Sequence, residues 1–288
     1  MKNDSYSTSL DDVTLKYAAE VLKDDFSTRE THINEIREWL NTQPQLHGKT
    51  DGVTIVRFLR GCKFDIEKTK KKLKSYYQLR GSTPEWFSDR DPTLPALQEL
   101  LSLGVFLPLL KKDPAGRLVI IIRVAAHDPS HHKQDDVFKV GKMILDLAIE
   151  QDESVSVYGV CAIFDLTSVS LGHARQLTPA MIKRAVHAWQ DCYPVRTKSL
   201  DFINSPSYVN VILRIFKGFM REKMRNRVHV HGYDLQSLHQ VVPPSVLPQE
   251  YGGSSGTVQD LIDHWKVKLT ESKDWFADDE KYKAEPSS

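Results

Sequence analysis

At 288 residues, with 40% hydrophobic and 27% charged side chains, the chain is long and apolar enough to bury one large core, or a small one and a larger one. Its 39 lysines and arginines balance 38 aspartates and glutamates, so any attraction to nucleic acid or anionic lipid must come from local clusters. No stretch approaches the roughly 18 apolar residues of a spanning helix, and three scattered cysteines, Cys62, Cys161 and Cys192, argue against a disulfide framework or a zinc site. A cytoplasmic protein, neither secreted nor integral to a membrane, is expected.

Leu15, Ala18, Ala19 and Leu22 open the chain at helical spacing. Ser27 with Glu30 predicts a capping box ahead of a stripe of Ile33, Ile36, Trp39 and Leu40. Two more helices run through Ile55, Phe58 and Leu59 and through Ile66, Leu73, Tyr76 and Tyr77. The second carries a basic run, Lys68, Lys70, Lys71, Lys72 and Lys74, of a kind that is ordinarily a solvated face. Pro84, Pro92 and Pro95 then punctuate the chain. The expected organisation is a helical lobe over residues 1–90, a second domain over 91–275 and a polar tail over 276–288.

Beyond the prolines the pattern changes. Asp113-Pro-Ala-Gly116 reads as a turn into a β-branched strand over 118–124, followed by a helix over 136–150. Residues 157–166 form a nearly continuous apolar run, the mark of a strand buried on both faces. A helix over 179–191, a strand over 199–203, a helix over 206–225 and a short strand over 228–230 follow. Thr257 and Asp260 cap a last helix through Leu261, Ile262 and Trp265. Such alternation predicts an α/β fold: a mostly parallel sheet flanked by helices, preceded by the small all-α lobe.

The motifs of catalysis fail on context. No glycine-rich phosphate loop follows any strand, and residues after the second strand read Asp165-Leu-Thr-Ser-Val, so nucleotide binding is not expected. Gly252-Gly-Ser254-Ser-Gly256 matches G-x-S-x-G, with Asp260 or Asp263 and His264 behind it, but no buried strand leads into it. His229 and His231 share a strand face without a Cys, Asp or Glu beside them in sequence, which is thin support for a metal. Neither catalysis, cofactor nor metal is expected. The informative element is the helix over 206–225. Tyr208, Val211, Ile212, Ile215, Phe216, Phe219 and Met220 make one broad apolar stripe, and Arg221, Lys223, Arg225 and Arg227 follow at once.

Several ordered segments together resemble the CRAL-TRIO lipid-binding family, most closely its tocopherol and retinaldehyde carrier branch. They are Val56-Arg-Phe-Leu-Arg60 with Lys63-Phe-Asp65, Asp113-Pro-Ala-Gly116, Ala162-Ile-Phe-Asp-Leu166, Phe202-Ile-Asn204, Val228-His-Val-His-Gly232 and Leu247-Pro-Gln-Glu-Tyr-Gly-Gly253. The resemblance implies a deep apolar cavity in the α/β lobe and a lid over residues 205–227. It further implies a cytoplasmic, monomeric carrier of one hydrophobic molecule (a retinoid, a tocopherol-like or an isoprenoid lipid), which associates transiently with phosphoinositide-bearing membranes. By the same resemblance Arg60, Arg196, Lys223 and Arg227 bind the phosphoinositide headgroup, Arg196 standing where the tocopherol carrier has lysine. The cavity would be lined by Phe138, Gly141, Leu145, Val160, Phe164, Ala185, Trp189, Leu200, Ile212, Ile215, Phe216, Phe219 and Met220. Gly141 and Leu145 replace two serines of the tocopherol carrier and Trp189 a leucine, leaving fewer groups to orient a chromanol head. Lys142 replaces an apolar neighbour; it would ordinarily be an exposed helix lysine, but could pair with a polar ligand group. A phospholipid exchange protein, a lipid-sensing adaptor and a hydrolase using Ser254 are the competing readings.

Overall fold

Four helices build the amino-terminal lobe: α1 (Asp12–Leu22), α2 (Phe26–Asn41), α3 (Gly52–Gly61) and α4 (Ile66–Ser82). Each begins behind an aspartate, Asp11, Asp25, Asp51 or Asp65, whose carboxylate accepts from a first-turn amide and supplies about 1 kcal/mol of capping. The capping box expected from Ser27 and Glu30 does not form, because Asp25 takes that position two residues earlier. Ile33, Ile36, Leu40, Ile55, Leu59 and Leu73 meet in the lobe's own core. The computed structural model describes residues 6–206 and 208–285.

Two short helices, α5 (Pro84–Phe87) and α6 (Pro95–Leu103), lead to a sheet of five strands in chain order. These are β1 (Phe106–Pro108), β2 (Leu118–Arg123), β3 (Val160–Asp165), β4 (Thr197–Ile203) and β5 (Val228–Gly232). All pairs are parallel except the edge pair β1–β2, which the sequence reading did not anticipate. A three-residue strand ending in proline carries too little pattern to be seen, and proline is tolerated there because the strand lies on an edge. The crossovers are α7 (Gln134–Gln151) with α8 (Ser154–Tyr158), then α9 (Leu171–Gln176) with α10 (Pro179–His187), then α11 (Val209–Phe219) with α12 (Glu222–Arg225). Beyond the sheet lie α13 (Leu235–His239), α14 (Val258–Glu271) and α15 (Lys273–Asp279). The capping box of Thr257 and Asp260 opens α14 as expected.

Three local expectations shift. Val157 and Tyr158 end α8 rather than begin β3, because Gly159 at φ +87 turns the chain where a Cβ would lie 2.2 Å from the Arg196 carbonyl oxygen. The helix expected over 206–225 breaks into α11 and α12 at Met220, whose backbone is extended. The segment 276–285 is no detached polar tail: Phe276 is fully buried, and the Ala284 amide bonds the Tyr77 carbonyl at 2.9 Å. Gly81 permits that approach, since any Cβ there would sit 2.2 Å from the Ala284 oxygen. Lys72 also leaves the solvated face expected of its run, reaching the carbonyls of Gln190 and Tyr193.

Buried ions join the lobe to the sheet layer. Arg60 is fully buried, its guanidinium 2.7 Å from Asp24 and 2.7 Å from Glu153, with the Tyr6 hydroxyl at 2.9 Å. Burial alone would push the Glu153 carboxyl up, but hydrogen bonds from Tyr6, the Ser9 amide and Arg60 outweigh it and hold it at about 2. This depressed value stabilises the folded chain above pH 4.5, the ordinary carboxyl value, and the stabilisation is lost as pH falls toward 2. Glu153→Gln should therefore cost about 3 kcal/mol at neutral pH, leaving Arg60 half-paired in the interior. It should also flatten the acid limb of the stability profile. Urea unfolding at several pH values measures both, and an unchanged midpoint would refute the assignment.

Candidate functional site

Side chains alternate along a strand, so Ile122, Phe164 and Phe202, which pair across β2, β3 and β4, share one face. That face and its continuation, Val124 and Leu166, form the floor of a cavity at the carboxyl ends of the strands. Phe164 and Phe202 stack with ring centroids 4.6 Å apart. α7 contributes Phe138, Gly141, Lys142 and Leu145, the turn after α10 contributes Trp189, and α11 lies across the top. The enclosed and partly open space is about 1400 Å³. Of the 28 lining residues among those described, Arg123, Gln134, Lys142 and His173 carry polar side chains, so the cavity favours a largely apolar occupant.

Ten of the thirteen expected lining residues meet at this cavity: Phe138, Gly141, Leu145, Phe164, Ala185, Trp189, Leu200, Ile212, Phe216 and Met220. Three do not. Val160 has the right parity but stands at the amino-terminal end of β3, away from the cavity, packed in the main core. Ile215 and Phe219 fall outside the wall because α11 turns only part of its stripe inward. Its inner row is Val209, Ile212, Leu213, Phe216 and Met220, whereas Tyr208, Val211 and Ile215 face outward at 45%, 59% and 39% exposure. Sequence reasoning missed Ile122, Phe202, Val209 and Leu213; the period-2 rows of the strands and the second apolar row of α11 held that signal. Of the two readings open for Lys142, the exposed helix lysine does not hold: the residue is 5% exposed and lies on the cavity wall.

α11 starts beyond the carboxyl end of β4 and ends before the amino-terminal end of β5, so α12 arrives beside the start of β4. The Leu200 amide bonds the Arg227 carbonyl at 2.8 Å there. Arg196, Lys198, Lys223 and Arg227 crowd this edge, and among the described residues none has a carboxylate within ion-pair distance. Arg227, then partial burial, with Lys63 and Arg196, lowers the Lys223 ammonium below its ordinary value. Burial, then Arg196, Arg227 and Arg117, brings Lys198 down to about 8. Mutual repulsion of this kind is relieved by a bound anion. Arg60 does not join them. Its guanidinium is fully buried and saturated by Asp24 and Glu153, which corrects its expected place at a headgroup.

The other sequence candidates resolve into structural roles. His229 and His231 each approach the buried Asp201 carboxylate at 3.1 Å. Ser254 lies in a loop where its amide bonds the Pro244 carbonyl, and Asp260 is engaged in capping Thr257. Among the described residues one His and carboxylate group has metal-ligand spacing, Glu99 with His131 and His132, and it sits at the surface. The three cysteines are free thiols. No described helix is long and apolar enough to cross a membrane.

Comparison with known proteins agrees with this architecture. The CRAL/TRIO domain model matches residues 104–253, and a Pinta-like UBA domain model matches 25–97. The human protein named alpha-tocopherol transfer protein-like is 32% identical over 272 residues, 94% of this chain and 78% of that protein. Human clavesin-2 is 31% identical over 258 residues, 87% of this chain and 79% of the relative. The crystal structure of Sfh5 superposes with a TM-score of 0.55 at 12% identity, covering 87% of this chain and 98% of that one, a likeness of fold. With the floor, walls and lid of the cavity falling largely within the matched segment, the chain belongs to the CRAL/TRIO family of lipid-binding and transfer proteins.

Proposed function

We propose that the protein is a non-enzymatic carrier that encloses one hydrophobic molecule, a retinoid, a tocopherol-like or an isoprenoid lipid, and releases it at phosphoinositide-containing membranes. It acts as a monomer in the cytoplasm and docks on the bilayer only transiently. The observation that carries this reading is α11, apolar on its inner row against the cavity and on its outer row against solvent. Swinging the five inner residues into water would cost about 10 kcal/mol, taking roughly 1.5 to 3 kcal/mol for each large side chain. Laying the helix in the interface of a bilayer removes most of that cost, and Arg214, Lys217 and Arg221 beside it favour anionic lipid. The opened state is therefore favoured at the membrane, where cargo exchanges. The relatives named for tocopherol transfer support the same reading. A cavity with four polar side chains offers little to a glycerophosphate head, which counts against phospholipid exchange.

The cationic edge of Arg196, Lys198, Lys223 and Arg227 is the proposed phosphoinositide contact. Arg196 donates to the Val157 carbonyl and Arg227 to the Thr197 carbonyl. Their remaining N–H groups, with the two ammonium groups, have no carboxylate partner among the described residues and match clustered phosphates. Val211→Asp with Ile215→Asp should leave the melting temperature near that of the wild type, because both side chains are exposed, and lower lipid transfer between vesicles by about tenfold or more. Unchanged transfer would sink the lid mechanism. Lys198→Glu with Lys223→Glu should weaken cosedimentation with phosphoinositide vesicles by about tenfold and leave binding to neutral vesicles as it was, at about 1 kcal/mol per basic residue near an anionic surface. Equal retention on both vesicle types would contradict the headgroup assignment.

A further inference from the structure

Lys142 is the one cation on the cavity wall without a partner among the described residues. Arg123, the other, donates to the Leu103 carbonyl at 2.9 Å. The Lys142 Nζ stands 4.8 Å from the ring centroid of Tyr193, 5.4 Å from Trp189 and 5.9 Å from Trp86. Three aromatic rings partly compensate a buried ammonium through their π faces, but they do not neutralise it. Asp146, one turn along α7, is committed elsewhere: it sits 2.7 Å from Arg90 and 3.9 Å from Arg80. Asp279 is shared by Arg80, Arg90 and Lys49. Two carboxylates thus already serve three cations before Lys142 is counted. Cys192 and Tyr193, the remaining titratable neighbours, stay neutral because burial pushes the thiol up to about 12 and the phenol well above its ordinary value. Burial also pulls the Lys142 ammonium down to about 8, against the attraction of Asp146. At neutral pH it remains mostly charged, desolvated and one counter-ion short.

We propose that the missing counter-ion arrives with the cargo: Lys142 is the headgroup contact, and the preferred ligand is a long-chain carboxylic acid whose carboxylate pairs with its Nζ. A monoanion is matched by one ammonium between aromatic walls, whereas a phosphate dianion would need further donors. Of the other polar groups on the wall, Arg123 is already bonded to the Leu103 carbonyl and His173 to Ser170 and the His127 carbonyl. The apolar tail then lies along Ile122, Phe164 and Phe202 toward the inner row of α11. The inference rests on the carrier reading and narrows its cargo from an apolar lipid to an acidic one. Lysine serves here where a serine would only orient a neutral head, because a charge buried in an apolar cavity discriminates strongly between ionised and neutral ligands.

The test uses the full chain stripped of lipid, with cis-parinaric acid and its methyl ester as fluorescent probes of matched shape. The wild type should bind the acid roughly ten- to hundredfold more tightly than the ester, the range of a hydrogen-bonded charge pair. Lys142→Met, similar in length and uncharged, should bind both alike while keeping the ester affinity. An ester that binds the wild type as well as the acid overturns the proposal, as does a Lys142→Met variant that keeps the acid preference. Should the variant fail to fold, the acid-to-ester ratio of the wild type decides alone. Uptake of neither probe by a normally folded wild type would refute the carrier reading itself, and this proposal with it.

Discussion

The cost of burying charge away from water, met here by pairing nearly all of it with opposite charge, organises this molecule. Asp146 on α7 and Asp279 at the end of α15 are held by Arg80 from α4, Arg90 from the α5–α6 connection and Lys49 from the first lobe. Five residues from five separated segments thus close on one another in the interior. Removing either carboxylate would leave uncompensated cations in a medium that solvates them poorly, typically a loss of about 3 to 5 kcal/mol. The geometry of α7 follows from that cluster. Its buried length carries Phe138, Gly141, Lys142 and Leu145 into the cavity, while Asp146 on the next turn anchors it to the lobe behind. A second set, Arg60 with Asp24 and Glu153, ties α3 to the loop ahead of α8 in the same manner.

Against this rigid frame α11 stands out by how little holds it. Only Val209 and Leu213 of its residues are buried, and among the described residues its polar ties and those of its flanks are few. Tyr208 donates to the Val169 carbonyl, Gln190 donates to the Phe219 carbonyl at 3.4 Å and accepts from the Arg221 amide at 3.1 Å, and Arg221 pairs with Asp191. A helix apolar on both long faces has no comfortable orientation in water alone. The outer row stays wet at a cost, and the inner row would be wet if the helix moved. The charge arrangement is asymmetric in the same sense. Each cation that binds the lobes together has a carboxylate within ion-pair distance, whereas Arg196, Lys198, Lys223 and Arg227 at the end of the lid have none among the described residues and repel one another.

Much of the cavity was legible through the family resemblance, which implied Phe138, Gly141, Leu145, Phe164, Ala185, Trp189, Leu200, Ile212, Phe216 and Met220; taken singly, each reads as ordinary core. Periodicity by itself marked the apolar stripe of α11, while the alternation along β4 that sets Phe202 beside Leu200 on the cavity face went unread. Position along a strand was not legible. Val160 and Phe164 share a face, but only Phe164 stands at the end of the sheet where the cavity lies, while Val160 packs in the main core. Nor was the roll of α11: an apolar arc this wide is compatible with several rotations, and packing against α10 selected the one that exposes Val211 and Ile215.

By itself the sequence determined the α/β alternation, the mostly parallel sheet, the helical first lobe and the amphipathic helix followed by basic residues, because these are local periodicities and local charge. Only the tertiary structure decided what each charge is for. Arg60 and Lys223 are equally basic in sequence, yet one is sealed by Asp24 and Glu153 and the other stands among like charges. Lys142 reads as a surface lysine until α5, the turn after α10 and Tyr193 close around it. The physical reason is that a side chain's charge is set by its chemistry, but its counter-ion and its dielectric are set by segments far away in the chain, and those meet only when the fold is complete.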